Sequence, residues 1–164
     1  MTTLPPMPPE GLKVADLSEE IRSYIRDSLH QGAAIHKFLD LSIDELGPDY
    51  AVMSLPLRAE ALNGSGNLHG GVVATLIDVT AGTAAARSER YDAALHTLVT
   101  ADLHVRYLRT PRGGSVSARA EVIQAGKQLI ILECKVTDAE GRLIAAADFS
   151  MMVVARRGPL TPTA

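Results

Sequence analysis

Tryptophan is absent from this chain of 164 residues, and cysteine occurs once, at Cys134. A single thiol excludes an internal disulfide and any cysteine-rich metal cage. Aromatic residues make up 4% of the chain, too few to furnish the stacking platforms on which single-stranded nucleic acids lie. Basic charge is also short: 16 Lys and Arg stand against 19 Asp and Glu, for a net charge of −3. A nucleic-acid-binding surface needs the opposite balance. No apolar run has the length of a membrane span, and residues 1–13 lack the basic-then-apolar order of a secretory leader. The expectation is a cytoplasmic protein whose partners are neither nucleic acid nor membrane. Cys134, within the strand-like LIILECKV, reads as a small buried hydrophobe rather than a reactive thiol.

What is present is an ordinary globular composition, 46% hydrophobic and 21% charged, long enough for one domain with a full core. Four of the nine prolines fall within residues 1–13, so residues 1–16 are expected to form an arm, 17–157 the domain and 158–164 a tail. Ile21, Tyr24, Ile25 and Leu29 recur at helical spacing behind the caps Asp16 and Ser18. From Ile35 the period changes, with Leu39, Leu41 and Ile43 alternating against Asp40, Ser42 and Asp44. Gly47-Pro48-Asp49 then turns the chain into YAVMSLPL.

A long helix is expected over 70–87, followed by four strands. In the first, Val99, Ala101, Leu103, Val105 and Tyr107 alternate with Thr100, Asp102, His104 and Arg106. The others are SVSARAEVI, LIILECKVT and LIAAADFSMMVV, joined by turns at 124–127 and 138–141. Strands joined by short turns, with one helix between them, predict an α+β fold. Its curved antiparallel sheet, of about six strands, wraps around a central helix of small residues.

That helix carries the unusual feature. GGVVATLIDVTAGTAAA, residues 70–86, holds one ionisable side chain, Asp78, and a carboxylate in such a setting is costly to desolvate. The run opens on His69-Gly70-Gly71, where a helix start offers unpaired N–H groups and partial positive charge. Glycine at 70 and 71 lets a ligand oxygen approach those amides, and a developing oxyanion suits them; a plain tight turn is the simpler alternative. Eight residues of helix put Asp78 ~12 Å along the axis from Gly70, whereas reacting groups must lie within about 3–3.5 Å of each other. One helix cannot serve one substrate with both. Two antiparallel helices of a twofold dimer can, so the spacing points to two composite sites in a homodimer. A buried hydrogen-bond hub or a lock between paired helices is the competing role for Asp78.

Asn63, in the Gly-rich loop ALNGSGNLHGG, either presents its amide to a carbonyl or water or simply forms a turn. Strict alternation sets Thr100 on the face opposite Leu103 and Val105, so Thr100 reaches the site either across a dimer or through a bulge. His69 has no second His or Cys at metal-binding spacing, and no metal is expected.

The pattern N-x-x-G-x-L-H-G-G-x-x-A-T-L-x-D, read from Asn63 to Asp78, resembles the hotdog-fold acyl-CoA thioesterases of the PaaI-like group, which includes the thioesterase superfamily member two-like proteins. The likeness runs on through VTADLHVRYLRTP and three further strands, over about residues 35–155. It implies a hotdog fold and hydrolysis of acyl-CoA to free acid and coenzyme A, with no cofactor beyond the coenzyme A of the substrate. It also implies that Asp78 is the general base or nucleophile and that Gly70 of the neighbouring subunit donates to the oxyanion. Asn63 would position the thioester or water, and Thr100 would help to orient the water. His69, Gly71, Arg106, Arg109, Gly126 and Lys127 are the implied substrate contacts, with Arg112 beside them. The oligomer would be a homodimer or homotetramer. Two other functions are compatible with the same residues: a non-catalytic acyl-CoA binding module, and a hotdog enoyl-CoA hydratase or dehydratase.

Overall fold

The computed structural model describes Pro8 and residues 10–156; the expected tail, 158–164, the last residue of the expected domain, 157, and residues 1–7 and 9 of the expected arm lie outside the described residues. The ten main elements are β1 (Leu12–Lys13), α1 (Glu19–Gly32), α2 (Ala34–Phe38), β2 (Ser42–Gly47), β3 (Tyr50–Pro56), α3 (Gly70–Ala85), β4 (His96–Tyr107), β5 (Ser115–Ala125), β6 (Leu129–Asp138) and β7 (Leu143–Ala155). All seven strands form one antiparallel sheet in the order β1-β2-β3-β5-β6-β7-β4. The α+β hotdog architecture is as expected, with one strand more than the six foreseen. The extra one comes from the expected arm, where Leu12 and Lys13 pair with Leu46 and Glu45 and Val14 is buried.

The core lies between the sheet and α3. Alternate residues of β3 (Ala51, Met53, Leu55), β5 (Val116, Ala118, Ala120) and β6 (Ile130, Leu132, Cys134, Val136) are buried, as a period of two requires of a sheet covered on one face. Against them α3 sets Val73, Leu76, Ile77, Ala81, Ala84 and Ala85. The alanines on both surfaces let helix and sheet come close. Thr80 is fully buried, and its hydroxyl donates to the Leu76 carbonyl at 2.6 Å, so it leaves no unpaired polar atom. Burial pushes the Cys134 thiol up to about 12, which suits the packing role read from the sequence.

Two details depart from expectation. Residues 34–38 form the short helix α2 rather than the start of a strand; Asp40, at φ 52°, then turns the chain into β2. The helix α3 is also not buried all round. Gly71 is exposed, and Ala74, Thr75, Asp78 and Gly82 are half-buried, because the sheet covers only one side of α3.

Candidate active site

The loop before α3 is folded back on itself by Asn63. Its side-chain oxygen accepts from the backbone N–H of Ser65 and Asn67, at 3.0 and 3.1 Å, while its own N–H donates to the Asn67 carbonyl at 2.7 Å. A bridge between Leu62 and Leu68 and the bond from His69 N–H to the Ala61 carbonyl close the loop beside the helix start. Asn63 is therefore a turn former. With both acceptor sites committed to the backbone, its side-chain NH2 group has no partner among the described residues and is left as a donor.

At the helix start, the free amides reduce from two to one. His69 is the N-cap and its Nδ1 accepts from Gly71 N–H at 2.9 Å, so its ring proton sits on Nε2. The His69 carbonyl takes the N–H groups of Val72 and Val73. Gly70 N–H is the one member of this first turn without an acceptor among the described residues. Of the substrate contacts expected here, Gly71 has its amide occupied and His69 acts as the cap that occupies it.

Asp78 lies two turns along, and the Thr100 hydroxyl donates to its Oδ1 at 2.7 Å. The dilemma over Thr100 is resolved by a bulge: the register of β4 against β7 slips between Thr100 and Asp102. Ala101 is the extra residue, so Leu98, Thr100, Leu103, Val105 and Tyr107 share the face turned to α3. Val99, expected on that face, is instead on the other, paired with the exposed Met152, and Ala101 stands unpaired in the bulge. No cation approaches Asp78 within salt-bridge distance among the described residues.

Tyr107 keeps the face expected for it, with Leu103 and Val105, but its role was missed because nothing in the sequence brings the end of β4 to the start of α3. Its hydroxyl donates to the Gly70 carbonyl at 3.0 Å, and its ring stands 3.5 Å from where a Cβ on Gly70 would be. Tyr107 walls a cavity of 380 Å³ with Gly70, Leu68, Val73, Arg109, Thr110, Pro111 and Ile144, among others. That volume falls in the range of small-molecule sites.

The remaining expected contacts are dispersed. Arg109 lines this cavity and donates to the Leu143 carbonyl at 2.7 Å. Arg106 points to the opposite face of the sheet, where it pairs with Asp148 at 2.9 Å and its hydrogen bond holds that carboxyl below the usual range. Gly126 and Lys127 line a separate cavity in the β5–β6 turn. There a Cβ on Gly126 would lie 2.8 Å from the Leu129 carbonyl oxygen, so the turn itself requires glycine. Arg112 is tied into the β6–β7 turn, its N–H donating to Asp138 at 2.9 Å. Asp138 is a buried hub that also accepts from Glu140 and from the backbone and guanidinium of Arg142. Burial alone would raise its pKa, but these hydrogen bonds outweigh it and bring it to about 2. Among the described residues no three His, Cys, Asp or Glu side chains are placed to hold a metal, and no helix is long and apolar enough to cross a membrane.

The thioesterase superfamily model matches residues 65–145 of this chain. An inferred esterase of Saccharolobus solfataricus is 31% identical over 124 residues, covering 75% of this chain and 85% of its own length. The 1,4-dihydroxy-2-naphthoyl-CoA hydrolase of Listeria monocytogenes is 30% identical over 107 residues, 65% of this chain and 85% of its own. Among solved structures, the PaaI protein of Escherichia coli, from the phenylacetic acid degradation operon, superposes with a TM-score of 0.69. Its identity is 20%, and the match covers 82% of this chain and 94% of that one; at that identity the likeness concerns the fold.

Proposed function

Because this chain belongs to the thioesterase superfamily, we propose that it hydrolyses acyl-CoA thioesters at two composite sites of a homodimer. Asp78 and Thr100 come from one chain, Gly70 and Asn63 from the other. The observation that carries this reading is the division of labour along α3. Among the described residues the half-buried carboxylate of Asp78 is oriented by Thr100 at 2.7 Å but unpaired with any cation, and the N–H of Gly70, which has no acceptor among them, lies ~12 Å away along the same helix. A thioester carbonyl within reach of one lies out of reach of the other unless a second chain intervenes.

The chemistry follows from these atoms. Thr100 occupies Asp78 Oδ1, which leaves Oδ2 to accept a proton from water as the water oxygen attacks the thioester carbon; direct attack by Oδ2 is the variant with Asp78 as nucleophile. Charge then develops on the carbonyl oxygen, where the partner's Gly70 N–H and the partner's Asn63 side-chain NH2 donate to it. The C–S bond breaks, coenzyme A leaves as a thiolate and is protonated by solvent, and the carboxylic acid remains. The step needs no metal or redox cofactor; coenzyme A enters only as part of the substrate.

The acyl or aryl-acyl group is assigned to the cavity walled by Tyr107, Leu68 and Ile144. Arg109 at its rim suits the pantetheine or phosphate side of the substrate. Lys127 belongs to the other end of the sheet: Leu129 pairs with Met152, which pairs with Val99 beside Thr100. In the dimer that end meets the partner's Arg109, so cations of both chains face one coenzyme A. We assign the protein to the cytoplasm, with tetramers built from this dimer.

A mixing experiment tests the composite site. Asp78→Asn keeps an acceptor for Thr100, and Asn63→Asp keeps the acceptor for Ser65 and Asn67 while removing the NH2 donor. Each homodimer should lose activity by more than about 100-fold. Co-refolding the two variants should restore about a quarter of wild-type activity, since half of the dimers carry one fully native site of two. If the mixture stays as inactive as its components, the two groups act within one chain and the composite reading fails.

A further inference from the structure

Gly70 and Gly71 open α3 with the residue type whose backbone is least constrained, yet an oxyanion donor contributes most when it is held in place before charge develops. Bonds within the first turn do not supply that hold alone. The His69 carbonyl accepts from Val72 and Val73 at 2.9 and 3.2 Å, and His69 Nδ1 accepts from Gly71 N–H at 2.9 Å. All of these lie within residues 69–73 and move with the turn. His69 N–H, bonded to the Ala61 carbonyl at 2.9 Å, joins the turn only to another loop. Among the described residues, the hydrogen bond that ties the turn to the sheet runs from the Tyr107 hydroxyl to the Gly70 carbonyl, at 3.0 Å.

We propose that Tyr107 is a positioning residue for the reaction: its hydroxyl fixes the direction of the Gly70 N–H and so aims the oxyanion donor. This rests on the composite site above and adds to it a residue that acts through the backbone. The anchor is firm at its own end. Tyr107 pairs with Ala145 of β7, and the next two residues, Leu108 and Arg109, both donate to the Ile144 carbonyl, at 2.8 and 3.2 Å. Its ring also lies against Gly70, 3.5 Å from the place of a Cβ. The hydroxyl therefore reaches the carbonyl from a side chain packed on the same residue.

The peptide group between Gly70 and Gly71 is bonded at both ends, its carbonyl by Tyr107 and its N–H by His69 Nδ1. The preceding group is held through the His69 carbonyl. Peptide groups are planar, so holding the two that flank Gly70 sets both its φ and its ψ. A donor to the carbonyl also polarises the N–H of the same group, which strengthens the bond to His69. One strand thereby steadies both reacting ends of α3: Thr100 orients Asp78 at 2.7 Å, and Tyr107 holds Gly70. In the composite site these two duties fall to different chains. The ring of Tyr107 walls the cavity while its hydroxyl is spent on the backbone, so binding and positioning are separable in this one side chain.

Tyr107→Phe in the full chain removes the hydroxyl and keeps the ring. Steady-state hydrolysis of acyl-CoA esters, with kcat referred to the folded fraction from thermal unfolding, should show kcat lower by about 3- to 10-fold, the span of one net hydrogen bond. KM should stay within about twofold, as for an interaction made only in the transition state. Coupling to the donor is the readout that a merely structural role would not move. Gly70→Pro keeps the carbonyl but has no N–H to aim, so adding Tyr107→Phe to it should cost no further kcat. Asn63→Asp keeps the Gly70 donor, so there the loss of about 3- to 10-fold should recur. Equal losses in the two backgrounds, a Tyr107→Phe enzyme with the wild-type kcat, or an effect on KM alone overturns the positioning role. If Gly70→Pro is impaired while these couplings fail, the donor survives and only the role of Tyr107 falls. If Gly70→Pro itself turns over within about tenfold of wild type, the donor falls and this role with it.

Discussion

Gly70→Pro separates what the backbone N–H of this residue does for the fold from what it does for the reaction. Gly70 is the first helical residue of α3, a position where proline is favoured because its missing N–H would have had no helical partner. The residue before a proline must be extended, and His69 already has φ −69° and ψ 128°. The new Cβ meets only the Tyr107 ring, at 3.5 Å, which is ordinary contact. The substitution should therefore leave the fold intact and stabilise it by ~0.4–1 kcal/mol through the unfolded chain, a rise in Tm of about 1–4 °C for a chain of this size.

Catalysis should move the other way. Loss of one oxyanion donor costs about 10²- to 10³-fold in kcat, and the proline ring occupies the space the oxyanion needs. Gly70→Ala is the control: it keeps the N–H and adds only the Cβ, so its activity should stay within about tenfold of wild type, as expected for a donor left in place. The assay is release of free thiol from acyl-CoA esters, with thermal unfolding followed in parallel. If Gly70→Pro melts at or above the wild-type temperature and still turns over within tenfold of wild type, this amide is not the oxyanion donor.

Two further outcomes follow from the same contacts. Thr100→Val removes the hydroxyl that orients Asp78. A hydrogen bond to a charged group is worth ~1.5–3 kcal/mol, so kcat should fall about 10- to 100-fold while KM changes little; steady-state kinetics with a KM effect alone would argue against the orienting role. Asp138→Asn addresses acid stability. The folded pKa of Asp138, about 2, lies below its ordinary value of 3.8, so the folded state gains from its ionisation above the unfolded value. That gain is lost as pH falls from the unfolded value through about 2. Denaturant unfolding at a series of pH values should show Asp138→Asn with a shallower loss of stability over that window, and an unchanged slope would exclude the hub at Asp138 as its source.

Much of the fold was legible because it is written in local periodicity. The alternation in β3, β5 and β6 and the small apolar stretch of α3 each specify an element and its buried face without reference to distant residues. The spacing of Gly70 and Asp78 was likewise readable, since the rise of a helix is fixed. What was not legible depends on a single residue out of step or on a choice among equivalent atoms. Ala101 has nothing in its identity to mark a bulge, yet it decides which half of β4 faces α3. It therefore hid the side on which Thr100 lies and placed Val99 on the wrong one. His69 and Gly71 are adjacent in sequence, but only the imidazole orientation reveals that the cap consumes one amide and leaves the other. Arg106 and Arg109 look alike as members of one cluster; they fall on opposite sides of the sheet because strand parity separates them.

These particulars also weigh the alternatives. A binding module has no use for a half-buried carboxylate oriented by a threonine with no counter-cation among the described residues, whereas the proposed hydrolysis uses its second oxygen as the base. A hydratase of the His-plus-acid type would need an imidazole free to exchange protons beside an acid. His69 has one nitrogen committed to Gly71 N–H at 2.9 Å, and it caps the end of α3 ~12 Å along the axis from Asp78. Hydrolysis needs what is left over: one carboxylate oxygen, one backbone amide and one side-chain NH2. The capping of Gly71 and the turn made by Asn63 thus work in the same direction. Each satisfies the loop internally and leaves one donor without a partner among the described residues, so in the proposed mechanism the donors are held in place before substrate arrives, the condition under which oxyanion stabilisation contributes most.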